Sequence, residues 1–198
     1  MVNIAVLVLA AGKSSRMNGI KQLERINGKT LLDITLETAQ KVVQNNIFCV
    51  LGANAKKIQG EISTKNIKFI ENKNFEKGLS SSIVSGINHF KNENLTLDGV
   101  LILLADQPAI NSNYLKTMIH LFKKEKQKII ASSYRNKKGV PAIFPRKYFS
   151  DLLMIKGDKG AKQFLKTHQN DIITPKVKTN LIDIDTKEDL DFFKNQFK

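Results

Sequence analysis

The sequence contains few of the residues that form disulfides or zinc sites. Its one cysteine, Cys49, excludes a disulfide within the chain. Cys49 lies inside the apolar run 47–51, so we interpret it as a buried strand thiol in a cytosolic protein. The three histidines, at positions 89, 120 and 168, have no ligand spacing with the cysteine or with one another, and the sequence therefore predicts no zinc site.

Long apolar runs and acidic residues are also scarce. No run reaches the ~18 apolar residues of a membrane span, and the opening run 4–11 has no basic segment before it, which favours a buried strand over a signal peptide. The net charge of +14 indicates either a surface that attracts anions or a composition that places lysine on every solvated face. Because the lysines are scattered and few aromatic residues accompany them, we predict a cytoplasmic protein that binds neither nucleic acid nor membrane.

Short apolar runs alternate with amphipathic stretches, and no Pro/Gly/Ser-rich linker interrupts them. This rhythm predicts one α/β domain over 1–198, with a Rossmann-like, mostly parallel central sheet, helices on both faces and a small antiparallel extension. We predict strands at 4–9, 47–51, 67–70, 100–104, 128–131, 171–177 and 181–184, and a loop or hairpin at 134–144. We predict helices at 54–62, 80–90, 111–124, 148–155, 161–168 and 187–192, and one that Thr30 caps.

The loop after the first strand has the composition of a phosphate-binding loop. Small residues at 9–12 let the backbone approach a ligand, and successive amides then suit phosphate oxygens. Arg16 offers a planar fork and Lys21 a point charge. The spacing fits neither G-x-G-x-x-G nor a Walker A loop, and an ordinary strand-to-helix turn is the alternative. The predicted nucleotide-binding residues are Leu9, Ala10, Ala11, Gly12, Lys13, Ser14, Ser15, Arg16 and Lys21.

The same loop carries a family resemblance. Leu-Ala-Ala-Gly-x-x-x-Arg-Met at 9–17, followed by Lys-Gln-Leu at 21–23, resembles the signature of the molybdenum-cofactor nucleotidyltransferases, and most of all their cytidylyltransferase branch. These enzymes are part of the glycosyltransferase-A-like nucleotidyltransferases. The resemblance implies that the loop wraps the NTP phosphates and that Arg16 and Lys21 act in catalysis. The guanylyl branch usually has glycine where Ala11 stands, which favours CTP over GTP.

Two carboxylates are the predicted magnesium ligands. The apolar run 100–104 predicts a strand buried on both faces, and Asp106 follows it, where one or two carboxylates and substrate phosphates suit Mg²⁺. Asp106-Gln107-Pro108 is similar to the family's Asp-x-Pro motif, and 181–190 resembles the family's closing segment. Asp106, which is also a predicted catalytic residue, and Asp185 therefore hold Mg²⁺ in this interpretation, while Asp183 points away along its strand. A turn or a helix cap is the alternative for either ligand.

Three further segments resemble family segments. The helix start at 77–83 resembles the segment near ribose and base, although plain serine capping is an equal alternative. It adds Gly78, Ser80, Ser81 and Ser82 to the predicted nucleotide site, and Ala105, directly before Asp106, is a further predicted nucleotide-binding residue. The segments at 139–144 and 157–162 are linked to the acceptor, but Val140 replaces the family's histidine and leaves the acceptor's identity open. The predicted acceptor-binding residues are Gln107, Gly139, Pro141, Gly157, Asp158 and Gly160.

The resemblance implies an Mg²⁺-dependent nucleotidyltransferase that moves CMP from CTP to a phosphorylated acceptor, molybdopterin, and releases pyrophosphate. It leaves a molybdoenzyme or its maturation chaperone open as a further partner. Three alternatives remain: GTP as the donor, a sugar or polyol phosphate as the acceptor, and a non-catalytic polyanion-binding protein, which the net charge suggests.

Overall fold

A seven-stranded sheet forms the centre of the structure, a computed structural model that describes residues 2–14, 17, 19–134, 137–177 and 179–196. Its strands are β1 (Ile4–Ala10), β4 (Ile47–Leu51), β5 (Lys68–Glu71), β6 (Gly99–Leu104), β7 (Ile129–Tyr134), β8 (Lys137–Pro145) and β9 (Ile172–Ile173). A separate antiparallel pair consists of β2 (Arg25–Ile26) and β3 (Lys29–Thr30). The sheet order is β5-β4-β1-β6-β8-β7-β9, and β8 alone in it runs antiparallel to both of its neighbours.

Seven helices accompany these strands in the described residues. They are α1 (Leu31–Gln40), α2 (Ala55–Glu61), α3 (Leu79–Asn92), α4 (Ser112–Lys124), α5 (Phe149–Leu152), α6 (Lys162–Thr167) and α7 (Lys187–Gln196). Thr30 caps α1, as predicted, and Asn111 caps α4, each through its side-chain oxygen. No helix in this part of the chain is both long enough and apolar enough to cross a membrane.

Alternation along β1 divides its side chains between two hydrophobic cores. Leu7 and Leu9 pack on the face that α3 covers, whereas Val6 and Val8 pack on the face of α1 and α4. Both faces are therefore buried, which explains the continuous apolar run and confirms the predicted layers of helix, mostly parallel sheet and helix. Cys49 in β4 is fully buried, and burial raises the pKa of its thiol, in agreement with the predicted inert strand residue.

The strand directions gather several chain segments at one edge of the sheet. The carboxyl ends of β1, β6 and β7 meet there because these strands are parallel to one another. The reversed strand β8 begins at the same edge, so its first residues lie beside the segments that follow β1 and β6. Ligands of such sheets bind at this edge.

Two of the predictions for the last third of the chain need correction. The hairpin alternative at 134–144 is confirmed, since β8 pairs antiparallel with β7, and it pairs with β6 as well. The strand predicted at 171–177 shrinks to the two residues of β9, followed shortly by Pro175, which has no amide hydrogen to donate. The strand predicted at 181–184 does not form, because Leu181 and Ile184 pack against the cores from an irregular segment.

A buried carboxylate fastens the turn after α2 to α1. Asp33 Oδ1 accepts hydrogen bonds from the amides of Ser63 and Thr64, at 3.1 and 2.9 Å, and from Thr64 Oγ1, while its Oδ2 accepts one from Thr30 Oγ1. Desolvation raises the pKa of Asp33, but these hydrogen bonds outweigh it and leave the pKa below the ordinary value of 3.8.

Asp33→Ala should lower the free energy of unfolding by about 1–3 kcal/mol at neutral pH, because it leaves several donors without their acceptor. Because its pKa is lowered in the folded state, ionised Asp33 stabilises the fold fully at pH values above its ordinary pKa of 3.8. This contribution disappears as the pH falls through the lower pKa of the folded state. Urea unfolding at several pH values checks both points, with the exposed Asp151→Ala as control. An equal loss at every pH, down to the most acidic, would contradict the assignment.

Candidate active site

The loop after β1 forms one wall of a cavity of about 420 Å³, a volume typical of small-molecule sites. The cavity lies at the sheet edge where β1 and β6 end, with the start of α3 on its other side. The predicted nucleotide and metal residues that line it are Leu9, Ala10, Ala11, Gly12, Lys13, Lys21, Gly78, Ser82, Ala105 and Asp106. The structure thus brings together most of the residues selected from the sequence, and their role toward a nucleotide stays a prediction.

A glutamine that the sequence motif contains, but to which no role was assigned, holds the loop in shape. Gln22 is almost fully buried, and its Nε2 donates to the carbonyls of Ala10 and Gly12, at 2.8 and 3.0 Å. Ser14 does not line the cavity; its hydroxyl accepts from the Lys21 amide at 3.0 Å and donates to Gln22 Oε1. The loop carbonyls are therefore turned toward the 3₁₀ turn at Lys21–Leu23.

Lys21 joins the two predicted metal ligands. Its Nζ donates to Asp106 Oδ2 at 2.7 Å and to Asp185 Oδ1 at 3.0 Å, and only 16% of its side chain is exposed. Burial lowers the pKa of Lys21, but the charge of Asp106 and the hydrogen bonds to both carboxylates outweigh it, so that the pKa lies above 10.5. A permanent cation therefore sits between two carboxylates that are far apart in the sequence.

Asp185 reaches this position because another residue caps α7. Thr186 Oγ1 accepts from the Asp189 amide, and Asp189 Oδ2 accepts from the amides of Asp185 and Thr186, which together form a capping box. The alternative of Asp185 as the cap is therefore wrong. The amide of Ile184 donates to the Asp106 carbonyl at 2.8 Å, and this bond fixes the closing segment against the end of β6.

Asp106 has the properties of a cation ligand. Its Oδ1 is buried and has no hydrogen-bond partner among the described residues, so that a lone pair is left for a cation. No group of three or more His, Cys, Asp and Glu residues suited to a metal exists in the described part of the chain. Two carboxylates completed by phosphate oxygens match the coordination that Mg²⁺ prefers, and the donor set therefore fits this ion.

The start of α3 packs against the turn at 157–160. Gly78 has a φ of +90°, and a Cβ there would lie 2.2 Å from Asp158 Oδ1 and 2.7 Å from the backbone of Gly157, so only glycine fits. Ser80 is fully buried; its amide donates to the Gly157 carbonyl and its hydroxyl to the Gly160 carbonyl. This contact orders both segments around the cavity.

The structure places Ser80 and Ser81 outside the lining of the first cavity, and their nucleotide role stays a prediction. Neither lines the cavity, since Ser80 is used in packing and Ser81 donates to the Gly78 carbonyl. Asn72, which sequence reasoning missed, donates to both Ser81 and Ser82 and is almost fully buried. Its position after β5 was the only signal that the sequence offered.

A second cavity, of about 470 Å³, adjoins the first and shares Leu9, Leu79, Leu104 and Asp158 with it. Of the predicted acceptor-binding residues, Gln107, Gly139 and Asp158 line this cavity. Pro141, Gly157 and Gly160 do not, and their contact with the acceptor stays a prediction. Pro141 and Gly160 are buried, and Gly157 faces a neighbouring groove.

A hydrogen-bond network closes one corner of the second cavity. Gln107 Nε2 donates to Tyr134 Oη at 2.7 Å and to Asp183 Oδ1 at 2.6 Å, and Tyr134 Oη donates to the Val140 carbonyl. Asp183 therefore does not point away, because its segment is not a strand. Desolvation raises the pKa of Asp183, and the charges of Asp106 and Asp185 raise it further, against a lowering by Gln107.

Two predicted residues of the loop, Ser15 and Arg16, lie outside the described residues, and their roles stay predictions. Sequence reasoning also missed Phe75 and Glu76, which line the first cavity from the 3₁₀ turn Phe75–Lys77. Glu76 Oε1 accepts from Lys13 Nζ at 2.6 Å across the cavity mouth, in a pair whose side chains are more than half exposed. No motif marks this turn.

Comparison with known proteins places this site in a family. Residues 6–172 match the family described as MobA-like NTP transferase domain. Purine catabolism protein PucB of Bacillus subtilis is 30% identical over 198 aligned residues, which cover 92% of each chain. The bifunctional protein GlmU of Francisella philomiragia is 32% identical over 120 residues, which cover 60% of this chain but only 25% of GlmU. This chain thus matches about a quarter of that relative.

Solved structures share the fold. Rv0371c of Mycobacterium tuberculosis H37Rv matches with a TM-score of 0.82 at 24% identity, over 98% of both chains. A complex of Rv0371c with manganese matches with a TM-score of 0.79 at 22% identity, over 98% of this chain and 99% of that chain. The family match and PucB, which aligns over 92% of both chains, confirm the resemblance seen in the signature loop. The chain belongs to the MobA-like NTP transferase family and is a nucleotidyltransferase.

Proposed function

We propose that the protein transfers CMP from CTP to the phosphate of molybdopterin, with Mg²⁺, and releases pyrophosphate. The observation that carries the proposal is the convergence of Lys21, Asp106 and Asp185 at the edge of one cavity that the signature loop also lines. Phosphoryl chemistry needs positioned charges of both signs, and this cluster supplies them from three distant segments of the chain.

In the proposed reaction the triphosphate lies along residues 9–13 and Lys21, and the base and ribose lie toward Ser82 at the start of α3. A phosphate oxygen of the acceptor attacks the α-phosphorus of the nucleotide in line, the new P–O bond forms, and the bond to pyrophosphate breaks. The attacking phosphate is already ionised near neutral pH, so the residues need not remove a proton from it. The contribution of the protein is therefore orientation and charge stabilisation.

Asp106 and Asp185 are the residues that would hold Mg²⁺, whose chemistry there is to neutralise and orient the phosphate charges. The manganese complex of Rv0371c is consistent with this assignment. Lys21 holds the two carboxylates together and, in the proposed reaction, turns its ammonium toward the phosphates. Arg16 is proposed to act beside it.

The acceptor and the base rest on the family resemblance. Molybdopterin is favoured by the signature loop and the segment 157–162, and CTP by Ala11. Val140 lines the second cavity at the position where the family usually has histidine, so this cavity lacks that polar side chain.

Asp106→Asn should reduce turnover about a hundredfold or more, because a neutral amide no longer balances Lys21 or ligates a cation. Release of pyrophosphate from CTP and molybdopterin measures the loss, and Asp151→Asn, an exposed aspartate of α5, is the matched control. Full activity in Asp106→Asn would rule out the proposed chemistry.

Lys21→Met should lower turnover and, in the absence of nucleotide, tighten binding of Mn²⁺ about tenfold, because the two carboxylates lose a competing cation. Electron paramagnetic resonance of free Mn²⁺ measures this affinity without any need for activity. Lys116→Met on α4 serves as control. Unchanged Mn²⁺ affinity in Lys21→Met would mean that Lys21 does not occupy the position of the ion.

Thermal unfolding with each of the four NTPs and Mg²⁺ should show the largest stabilisation with CTP, since a ligand of the folded state raises the unfolding temperature. Pyrophosphate release should then require molybdopterin. Transfer to sugar 1-phosphates or polyol phosphates, or a larger shift with GTP, would replace the acceptor or the nucleotide in the proposal while leaving the transferase chemistry in place.

A further inference from the structure

Five of the lysines that are scattered along the sequence lie together in the fold. A third cavity, of about 540 Å³, is lined by Lys137, Lys138, Lys159, Lys162 and Lys166. No carboxylate lines it among the described residues, and none of the five lysines forms an ion pair with a described carboxylate. Four of the five are exposed, and Lys138 Nζ donates to Thr174 Oγ1 at 2.8 Å.

The local structure brings these charges together at a cost. Lys162 and Lys166 are four residues apart on the short helix α6 and therefore share one face, where like charges destabilise a helix. Lys137 and Lys138 begin β8, and Lys159 lies in the turn before α6. An anion bound among the five would remove this repulsion and would gain several charge-assisted hydrogen bonds.

The lysine-lined cavity is continuous with the proposed acceptor cavity. The two share Lys137, Lys138, Lys159, Lys162 and Leu165, and the acceptor cavity in turn adjoins the cavity of Lys21 and Asp106. One groove therefore runs from the signature loop, where the reacting phosphate lies, to α6. The end at α6 is cationic, whereas the end at the signature loop combines Lys13 and Lys21 with carboxylates. The middle is bordered by four of the lysines and also has apolar lining.

The middle of the groove suits the ring of a small molecule that carries a hydrogen-bond donor. Leu79, Ile83 and Leu165 provide apolar lining. Gln107, already selected from the sequence as an acceptor-binding residue, lines this part of the groove, and its Oε1 is buried without a hydrogen-bond partner among the described residues. An unpaired buried oxygen of this kind gains from a donor group of a ligand.

We propose, resting on the proposed transferase function, that the acceptor carries a second anionic group at the end remote from its reacting phosphate, and that the lysines at 137, 138, 159, 162 and 166 bind it. The acceptor is accordingly a phosphorylated, ring-sized molecule with a donor group in its body and a negative charge at each end. A sugar monophosphate has only one of these charges and is a poor ligand of the groove.

Two sugar phosphates test the proposal. Glucose 1-phosphate and glucose 1,6-bisphosphate have the same ring and differ in the far phosphate. The protein, saturated with Mg²⁺ and a CTP analogue that cannot transfer its CMP, should bind the bisphosphate about tenfold more tightly in isothermal titration at low salt. Lys159→Gln/Lys162→Gln should reduce this preference to within about twofold. The matched control Lys116→Gln/Lys123→Gln, on exposed α4 positions, should retain it.

The proposal is overturned if Lys159→Gln/Lys162→Gln keeps the preference for the bisphosphate. It is also overturned if the unmodified protein binds the two sugar phosphates equally or binds neither. Circular dichroism of each variant checks that it is folded. Pyrophosphate release, measured separately, keeps this outcome distinct from the transferase reaction. A protein that prefers the bisphosphate but never releases pyrophosphate retains the anion groove and loses the proposed function.

Discussion

The site depends on one ion cluster, the ammonium of Lys21 between the carboxylates of Asp106 and Asp185. Two carboxylates brought this close would repel each other and be costly to desolvate, and a buried cation with good geometry offsets that cost. The three residues come from the loop after β1, the end of β6 and the segment before α7. The cluster therefore ties the first, middle and last parts of the chain to the same point at the edge of the sheet.

Much of the fold could be predicted because the central strands are buried on both faces. β1, β4 and β6 have unbroken apolar runs, and the polar residues that follow β1 and β6 are the ones that line the first cavity. The predicted strand at 181–184 was wrong because its apolar residues pack against the cores without forming hydrogen bonds to a neighbouring strand. Leu181 and Ile184 have the spacing of a strand but are held by the cores and by one hydrogen bond to the Asp106 carbonyl.

The candidate site was less predictable because its polar contacts join distant residues. The hydroxyl of Ser80 is used by a carbonyl 80 residues away, and Gln107 meets Asp183 across 76 residues. A serine before a helix looks the same in a sequence whether it faces a ligand or a packed turn. The lysine cluster was missed for the same reason, since its members are spread over 137–166 and only the fold brings them together.

The two ends of the groove are built from different parts of the sequence. The residues that line the first cavity lie at positions 9–106, apart from Asp158, whereas the lysines at the far end lie at 137–166, starting with β8. The ion cluster crosses this division, because Asp185 lies near the end of the chain yet shares Lys21 with Asp106. Any insertion or deletion between β8 and α7 therefore has to keep Asp185 within hydrogen-bond distance of Lys21 if the cluster is to form.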